Sequence, residues 1–496
     1  MGGYLLGYDV GSSAIKASLL EAQTGRQVAA ASSPQRELEI VAPKPGWAEQ
    51  DPDVWWQHVK AATAMIGNQD TVDLHDVDAI GISYQMHGLV AVDAAGSVVR
   101  PAIIWCDSRA VEVGQRAFSE LGESLCLRRL LNSPGNFTAS KLSWVKHHEP
   151  QVFAKIKYMM LPGDYIGYRL TGSVVTTPSG LSEGIMWDFE QQALAIFLLD
   201  YFGIPRDVIP EVRPTFSIHG EVAAHAAREL GIRAGTKVCY RAGDQPNNAL
   251  SLSVLDPGEV AATAGTSGVV YGVGEAAAYD KRSRVNCFVH VNHETRRPRY
   301  GTLLCVNGTG ILYSWLRHNC VGADLDYEQM NVLAGEAPVG ADGLFMLPFG
   351  NGAERTLENR NIGASLHGLD FNSHTLAHVL RAAQEGIVFA LRYGLEIMSS
   401  MGIKIHTVRA GNANMFLSTL FAEAFATTVR ARLELYNTDG SQGAARGAGI
   451  GAGIYDHREA FLGLRALEVV EPQRTLEGAY DEAYARWKHV VDSTVH

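Results

Sequence analysis

The sequence predicts an α/β protein in which an N-terminal strand-turn-strand unit recurs in the second half. Three observations carry this. First, Tyr4-Leu-Leu-Gly-Tyr8 is a short apolar run, Asp9-Val-Gly-Ser-Ser13 is a turn, and Ile15 to Leu20 alternates, which together read as a β-hairpin. Second, Gly258 to Tyr271 again reads strand, turn, strand, and its turn Gly265-Thr-Ser-Gly268 echoes Gly11-Ser-Ser13, which suggests a duplicated fold. Third, Leu376, Val379, Leu380, Ala383, Ile387, Ala390 and Leu391 share one face at helical spacing, so 375–400 is expected to be a helix.

The remaining elements follow in order. Val77 to Ser83 reads as a strand ending at Gln85-Met-His-Gly88, and Pro101 to Trp105 as a strand ending at Asp107. Open α/β sheets place ligands at such strand ends. Thr407 to Ala410 reads as a strand, Leu417 to Thr427 as a helix and Leu433 to Tyr436 as a strand. The run 439–453 is rich in glycine and alanine, which implies close backbone approach, either to a neighbouring element or to a ligand. The domain joint is expected near 248–257, giving domains 1–248 and 249–496.

Composition excludes several classes. Apolar residues make up 46% of the 496 residues, enough for large cores and against disorder. A net charge of −11 opposes general binding to nucleic acid or anionic lipid, so neither partner is expected. The six cysteines form no CxxC pair, which removes zinc-ribbon and redox-pair readings. Met1 to Asp9 lacks a basic leader and no long apolar run occurs, so a cytoplasmic location is expected.

Familiar motifs are absent or out of context. There is no Gly-Lys pair for a P-loop, and the 440–453 glycines miss the GxGxxG spacing. Gly180-Leu-Ser-Glu-Gly184 matches GxSxG, but it follows the turn-like Thr176-Thr-Pro-Ser179 rather than a buried strand, so it reads as chance. The two Gly-hydroxyl turns can offer backbone and hydroxyl donors to anionic oxygens, and Asp9 can reach Mg²⁺ through water. Gln85, His87, Asp107 and Asp244 suit sugar hydroxyls, with Trp105 as a flat face if it is not a core residue.

These segments resemble a known family. Asp9-Val-Gly-Ser-Ser13, Pro45 to Pro52 with Trp55-Trp56, Gln85-Met-His-Gly88, Trp105-Cys-Asp-Ser-Arg109, Leu161-Pro-Gly-Asp-Tyr165, Gly243-Asp-Gln245 and Gly265-Thr-Ser-Gly268 are similar, in order and spacing, to the FGGY carbohydrate kinases. The resemblance implies two ribonuclease H-like (actin-like ATPase) domains with an interdomain cleft, sugar on the N-terminal domain and ATP on the C-terminal one. It implies Asp244 as the base that accepts the sugar hydroxyl proton, with Gln85, Met86, His87, Trp105, Asp107 and Gln245 as sugar contacts. Nucleotide contacts are expected from Gly11, Ser12, Ser13, Lys16, Gly265, Thr266, Ser267, Gly310, Gly411 and Asn414, with Mg²⁺ at Asp9. Gln-Met-His-Gly resembles the branch that phosphorylates D-xylulose. Gln245 is more like the glycerol-phosphorylating branch, Arg409-Ala410 departs from the adenine segment, and Gln384 is polar where an apolar residue is usual. Kinases for ribulose, glycerol or gluconate, a non-catalytic sugar sensor and a serine hydrolase are the alternatives. A homodimer would follow only from the resemblance.

Overall fold

The computed structural model describes residues 3–69, 72–322 and 325–495. Met1 and Gly2 of the N-terminal stretch read above lie outside them. Two compact units divide the chain. The first is Met1–Ser253 with Phe288–Tyr300 and Thr438–Leu464; the second is Val254–Cys287 with Gly301–Asn437 and Arg465–His496. Two later segments, Phe288–Tyr300 and Thr438–Leu464, thus group with the first unit.

The first unit is built on a six-stranded sheet. Its strands are β1 (Tyr4–Val10), β2 (Ile15–Glu21), β3 (Gln27–Ser33), β4 (Val77–Tyr84), β5 (Phe216–Glu221) and β6 (Lys237–Gly243), in spatial order β5-β6-β4-β1-β2-β3. The expected hairpin is β1 antiparallel to β2, and β4 and β6 run parallel to β1. These central strands are apolar along nearly their whole length, as strands covered on both faces must be. Trp55, Trp56, Val59 and Ile66 of the helix Pro52–Gly67 fill one face with Leu6, Tyr8, Ile80 and Ile82.

The other face receives the helix Gly440–Gly451, which settles the small-residue run as packing. A Cβ on Gly7 would stand 1.9 Å from the Ser441 carbonyl oxygen, and one on Gly81 would stand 1.9 Å from that of Ala444. The helix glycines are equally tight, with a Cβ on Gly451 falling 2.0 Å from the Cys239 carbonyl oxygen. Sheet and helix backbones thus meet directly, with no side chains between them at these points.

The second unit repeats the plan. Its seven strands are β7 (Glu259–Ala264), β8 (Gly268–Gly274), β9 (Asn286–Val289), β10 (Tyr300–Val306), β11 (Thr407–Gly411), β12 (Arg432–Tyr436) and β13 (Ala466–Val470), in order β9-β10-β8-β7-β11-β12-β13. In each sheet a hairpin strand is followed by two parallel strands and an antiparallel edge strand: β1, β4, β6, β5 in the first and β7, β11, β12, β13 in the second. The duplication suggested by two short turns extends through the sheet topology. The long expected helix is Leu376–Ser400. The strand expected over 101–105 is only Ala102–Ile103, because Trp105 turns outward.

Substituting Gly81→Ala forces a methyl into the Ala444 carbonyl. Overpacking of this kind costs about 1–3 kcal/mol, so chemical denaturation should show a loss of that size with little change in the slope.

Candidate active site

The carboxyl ends of β1, β4 and β6 lie side by side. Register pairs Asp9 with Ser83, and Tyr84 with Gly243, so Asp9, the 83–87 segment and Asp244 share one edge of the sheet. Asp244 begins the helix Asp244–Ser251 directly after β6. Burial pushes its carboxyl up to about 7; the nearby Asp9 charge adds to the rise, and hydrogen bonds from Gln245 oppose it. Asp9 is also raised, first by burial and further by Asp439, while the Ser83 hydroxyl, donating to Oδ1 at 2.8 Å, works the other way. Gly440 makes room for Asp9, since a Cβ there would stand 2.5 Å from Oδ2.

His87 follows at the end of β4 with a left-handed backbone, φ 62°. Its ring sits edge-on to Phe137, with centroids 4.8 Å apart, and 5.6 Å from the Phe288 ring. Met86 is buried with its side chain against Gly243. Two residues not foreseen from the sequence pack against His87. Lys141 is fully buried, donates from Nζ to the carbonyl oxygens of His87 (2.8 Å) and Ile104 (2.9 Å), and is lowered to about 7 by that burial. Glu183 is a buried acid whose Oε2 accepts the His87 main-chain N–H at 3.2 Å. An acid within an otherwise small and apolar stretch, 178–187, was the signal for Glu183.

The structure separates the other expected sugar contacts. Asp107 is not one of them. It is 0% exposed and accepts from the Ala48 N–H (2.6 Å), the Arg109 N–H (2.9 Å) and Arg109 Nη2 (2.6 Å). Arg109 continues to Glu49 at 2.8 Å and Glu49 to Arg100 at 2.6 Å, so Asp107 belongs to a buried ion-pair chain. Gln85 is also turned inward, donating to Gln50 Oε1 at 3.3 Å. Trp105 is 52% exposed, with Nε1 donating to Ser12 Oγ at 3.3 Å, so it is no core residue and its ring face is available. Ser182 of the GxSxG match lies in the helix Pro178–Glu183, donates to the Ser179 carbonyl and accepts the Val289 N–H at 2.9 Å, which is a capping role and not that of a nucleophile.

The second unit holds a cavity of about 1430 Å³ at the carboxyl ends of its own central strands. Gly265, Thr266, Gly310 and Asn414 line it; Ser267 and Gly411 do not. The Ser267 hydroxyl instead bonds the Cys305 thiol. The Gly310 N–H donates to the Gly265 carbonyl at 2.8 Å, so Gly310 serves by close approach rather than as a free donor. Arg409 lies outside the lining. Its guanidinium joins Glu259 and Glu434, each at 3.0 Å, across β7, β11 and β12, so the departure at this position is a sheet cross-link. Gln384 is a buried hub, bonded at 2.9 Å to Tyr313, Asn331 and Ser418, all of which line the cavity. Gly11, Ser12, Ser13 and Lys16 stand in the first unit beside Asp9.

Among the described residues no cluster of three or more acidic, His or Cys side chains could enclose a metal ion. Mg²⁺ needs no such cage, since it keeps several waters and takes one or two carboxylates together with phosphate oxygens. Asp9, crowded by Asp439 and Asp244, fits that mode, because a cation would offset the repulsion. No helix among the described residues is long and apolar enough to cross a membrane.

Known proteins share this geometry along the whole chain. The N-terminal domain of the FGGY family of carbohydrate kinases matches residues 4–251, and the family's C-terminal domain matches residues 260–450. The chain is 29% identical to the xylulose kinase of Bacillus subtilis (strain 168) over 501 residues, 98% of this chain and 97% of that protein. It is also 29% identical to the L-xylulose/3-keto-L-gulonate kinase of Escherichia coli (strain K12), over 98% of this chain and 96% of that protein. The crystal structure of a xyloylose kinase from Brucella ovis, 28% identical, superposes with a TM-score of 0.90 over 99% of each chain.

Asp107→Asn should lower stability by about 3–5 kcal/mol, the usual loss when one partner of a buried pair is removed. The folded fraction should keep its KM for the small-molecule acceptor; a raised KM with full stability would return Asp107 to the site.

Proposed function

Because this chain belongs to the FGGY family of carbohydrate kinases, we propose that it transfers a phosphoryl group from ATP to D-xylulose, giving D-xylulose 5-phosphate. The observation that supports the reading most is Asp244, a buried carboxyl raised to about 7 at the end of a central parallel strand. A base near the working pH is ionised often enough to act and basic enough to hold the proton it takes.

Asp244 accepts the proton of the sugar hydroxyl as that oxygen attacks the γ-phosphorus. The phosphoryl transition state is loose, so positioning and charge stabilisation dominate. Met86 and His87 contact the sugar, Trp105 presents its exposed face, and Gln245 orients the Asp244 carboxyl through its hydrogen bonds. Gly265, Thr266, Gly310 and Asn414, which line the cavity of the second unit, contact the nucleotide, and in the first unit Gly11, Ser12, Ser13 and Lys16 are donors suited to phosphate. Asp9 would hold Mg²⁺, which would supply charge neutralisation on phosphate. All six cysteines are free thiols, which suits the reducing cytoplasm.

A second acceptor has one observation in its favour. Gln245 bonds the base directly, and this residue is more like glycerol-phosphorylating members of the family. ADP release measured with D-xylulose, L-ribulose, glycerol and gluconate separates the readings. D-xylulose should give the highest kcat/KM; a higher value for another acceptor would reassign the substrate. Asp244→Asn should cut kcat by about 10²–10⁴-fold, the range for a general base, with nucleotide binding retained. Undiminished turnover in that variant would remove Asp244 from the chemistry.

A further inference from the structure

Glu183 is a buried acid that phosphoryl transfer, as described above, does not use. It ends the helix Pro178–Glu183 and is 2% exposed. Its carboxyl lies against Gly243, where a Cβ would stand 3.0 Å from Oε2, so the glycine preceding Asp244 is what admits it. Around it stand the Tyr84 hydroxyl, the carboxyls of Asp244 and Asp164, and the Lys141 ammonium.

Residue 183 grips His87 twice. The His87 main-chain N–H donates to Oε2 at 3.2 Å, and ring Nδ1 meets the Glu183 carbonyl oxygen at 2.8 Å. A carbonyl only accepts, so Nδ1 carries a proton and donates it there. The backbone of His87 is left-handed at φ 62°, a conformation that persists for a residue with a Cβ only where its surroundings enforce it.

We propose that Glu183 is a positioning residue, whose carboxyl and carbonyl clamp His87 in its left-handed backbone and in one ring orientation, the orientation in which it contacts the acceptor sugar. This rests on the reading of His87 as a sugar contact. The Gly180-Leu-Ser-Glu-Gly184 segment then serves the pocket through its acid and not its serine.

The test is a double-mutant cycle on the full chain, read as acceptor-dependent ADP release. Glu183→Ala should raise the acceptor KM about tenfold, the equivalent of one lost hydrogen bond to a charged or buried group, with the ATP KM and kcat close to wild type. Glu183→Gln keeps an oxygen in place and should restore most of the KM. In a His87→Ala background, Glu183→Ala should add nothing, because it acts through the ring it holds. If Glu183→Ala does not melt cooperatively, Glu183→Leu replaces it in the cycle. An unchanged acceptor KM, or an equal further loss in the His87→Ala background, would overturn the clamp. Wild-type protein whose ADP release ignores every acceptor would overturn the underlying function, and the clamp with it.

Discussion

The parallel register of β1, β4 and β6 is the constraint on which the first unit's site depends. It brings Asp9, Ser83 and Ala242 level at the strand ends and so delivers Asp244, two residues on, near Asp9. Burial first, and the nearby Asp9 charge second, raise the affinity of Asp244 for a proton, which turns an ordinary aspartate into a base that titrates near neutrality. The register is held from behind by the helix Gly440–Gly451, and that seat exists only because Gly7 and Gly81 present bare backbone. Fold and chemistry therefore share one requirement, the direct contact of helix and sheet.

The buried acids sort by partner. Asp107 faces Arg109, Asp164 faces Arg241 and Glu385 faces Arg381, at 2.6, 3.3 and 2.7 Å. A carboxylate paired with a guanidinium acts as a cross-link in the scaffold, and at Asp164 and Glu385 the pairing opposes the rise that burial imposes. Asp9, Asp244 and Glu183, lifted by burial as well, have no guanidinium partner among the described residues and are bonded by the Ser83 hydroxyl, Gln245 and the His87 main-chain N–H. Perturbation without a matched cation is the pattern of a functional site.

The hairpins and the long helix Leu376–Ser400 were legible because each depends on local pattern: alternation, a glycine turn, apolar residues at helical spacing. Asp107 misled because one partner, Ala48, is far off in the chain and the other, Arg109, is itself held by the distant Glu49, so nothing local reveals that the carboxyl is enclosed. Arg409 and Gln384 looked like departures in the nucleotide segment, yet one cross-links the sheet and the other braces the cavity from behind. Glu183 was hidden by a chance likeness to a serine-hydrolase turn. Its meaning appears only when Gly243 and His87 are brought against it.

The state of Asp244 is the centre of this picture, and the pH dependence of kcat/KM for the sugar tests it most directly. A base raised to about 7 is protonated and idle below that pH, so activity should fall about tenfold per pH unit on the acid side. The acid limb should disappear from the residual activity of Asp244→Asn. A wild-type profile that stays flat from about pH 5 to 8, outside any range set by the groups of a raised base, would contradict the assignment of Asp244 as the proton acceptor.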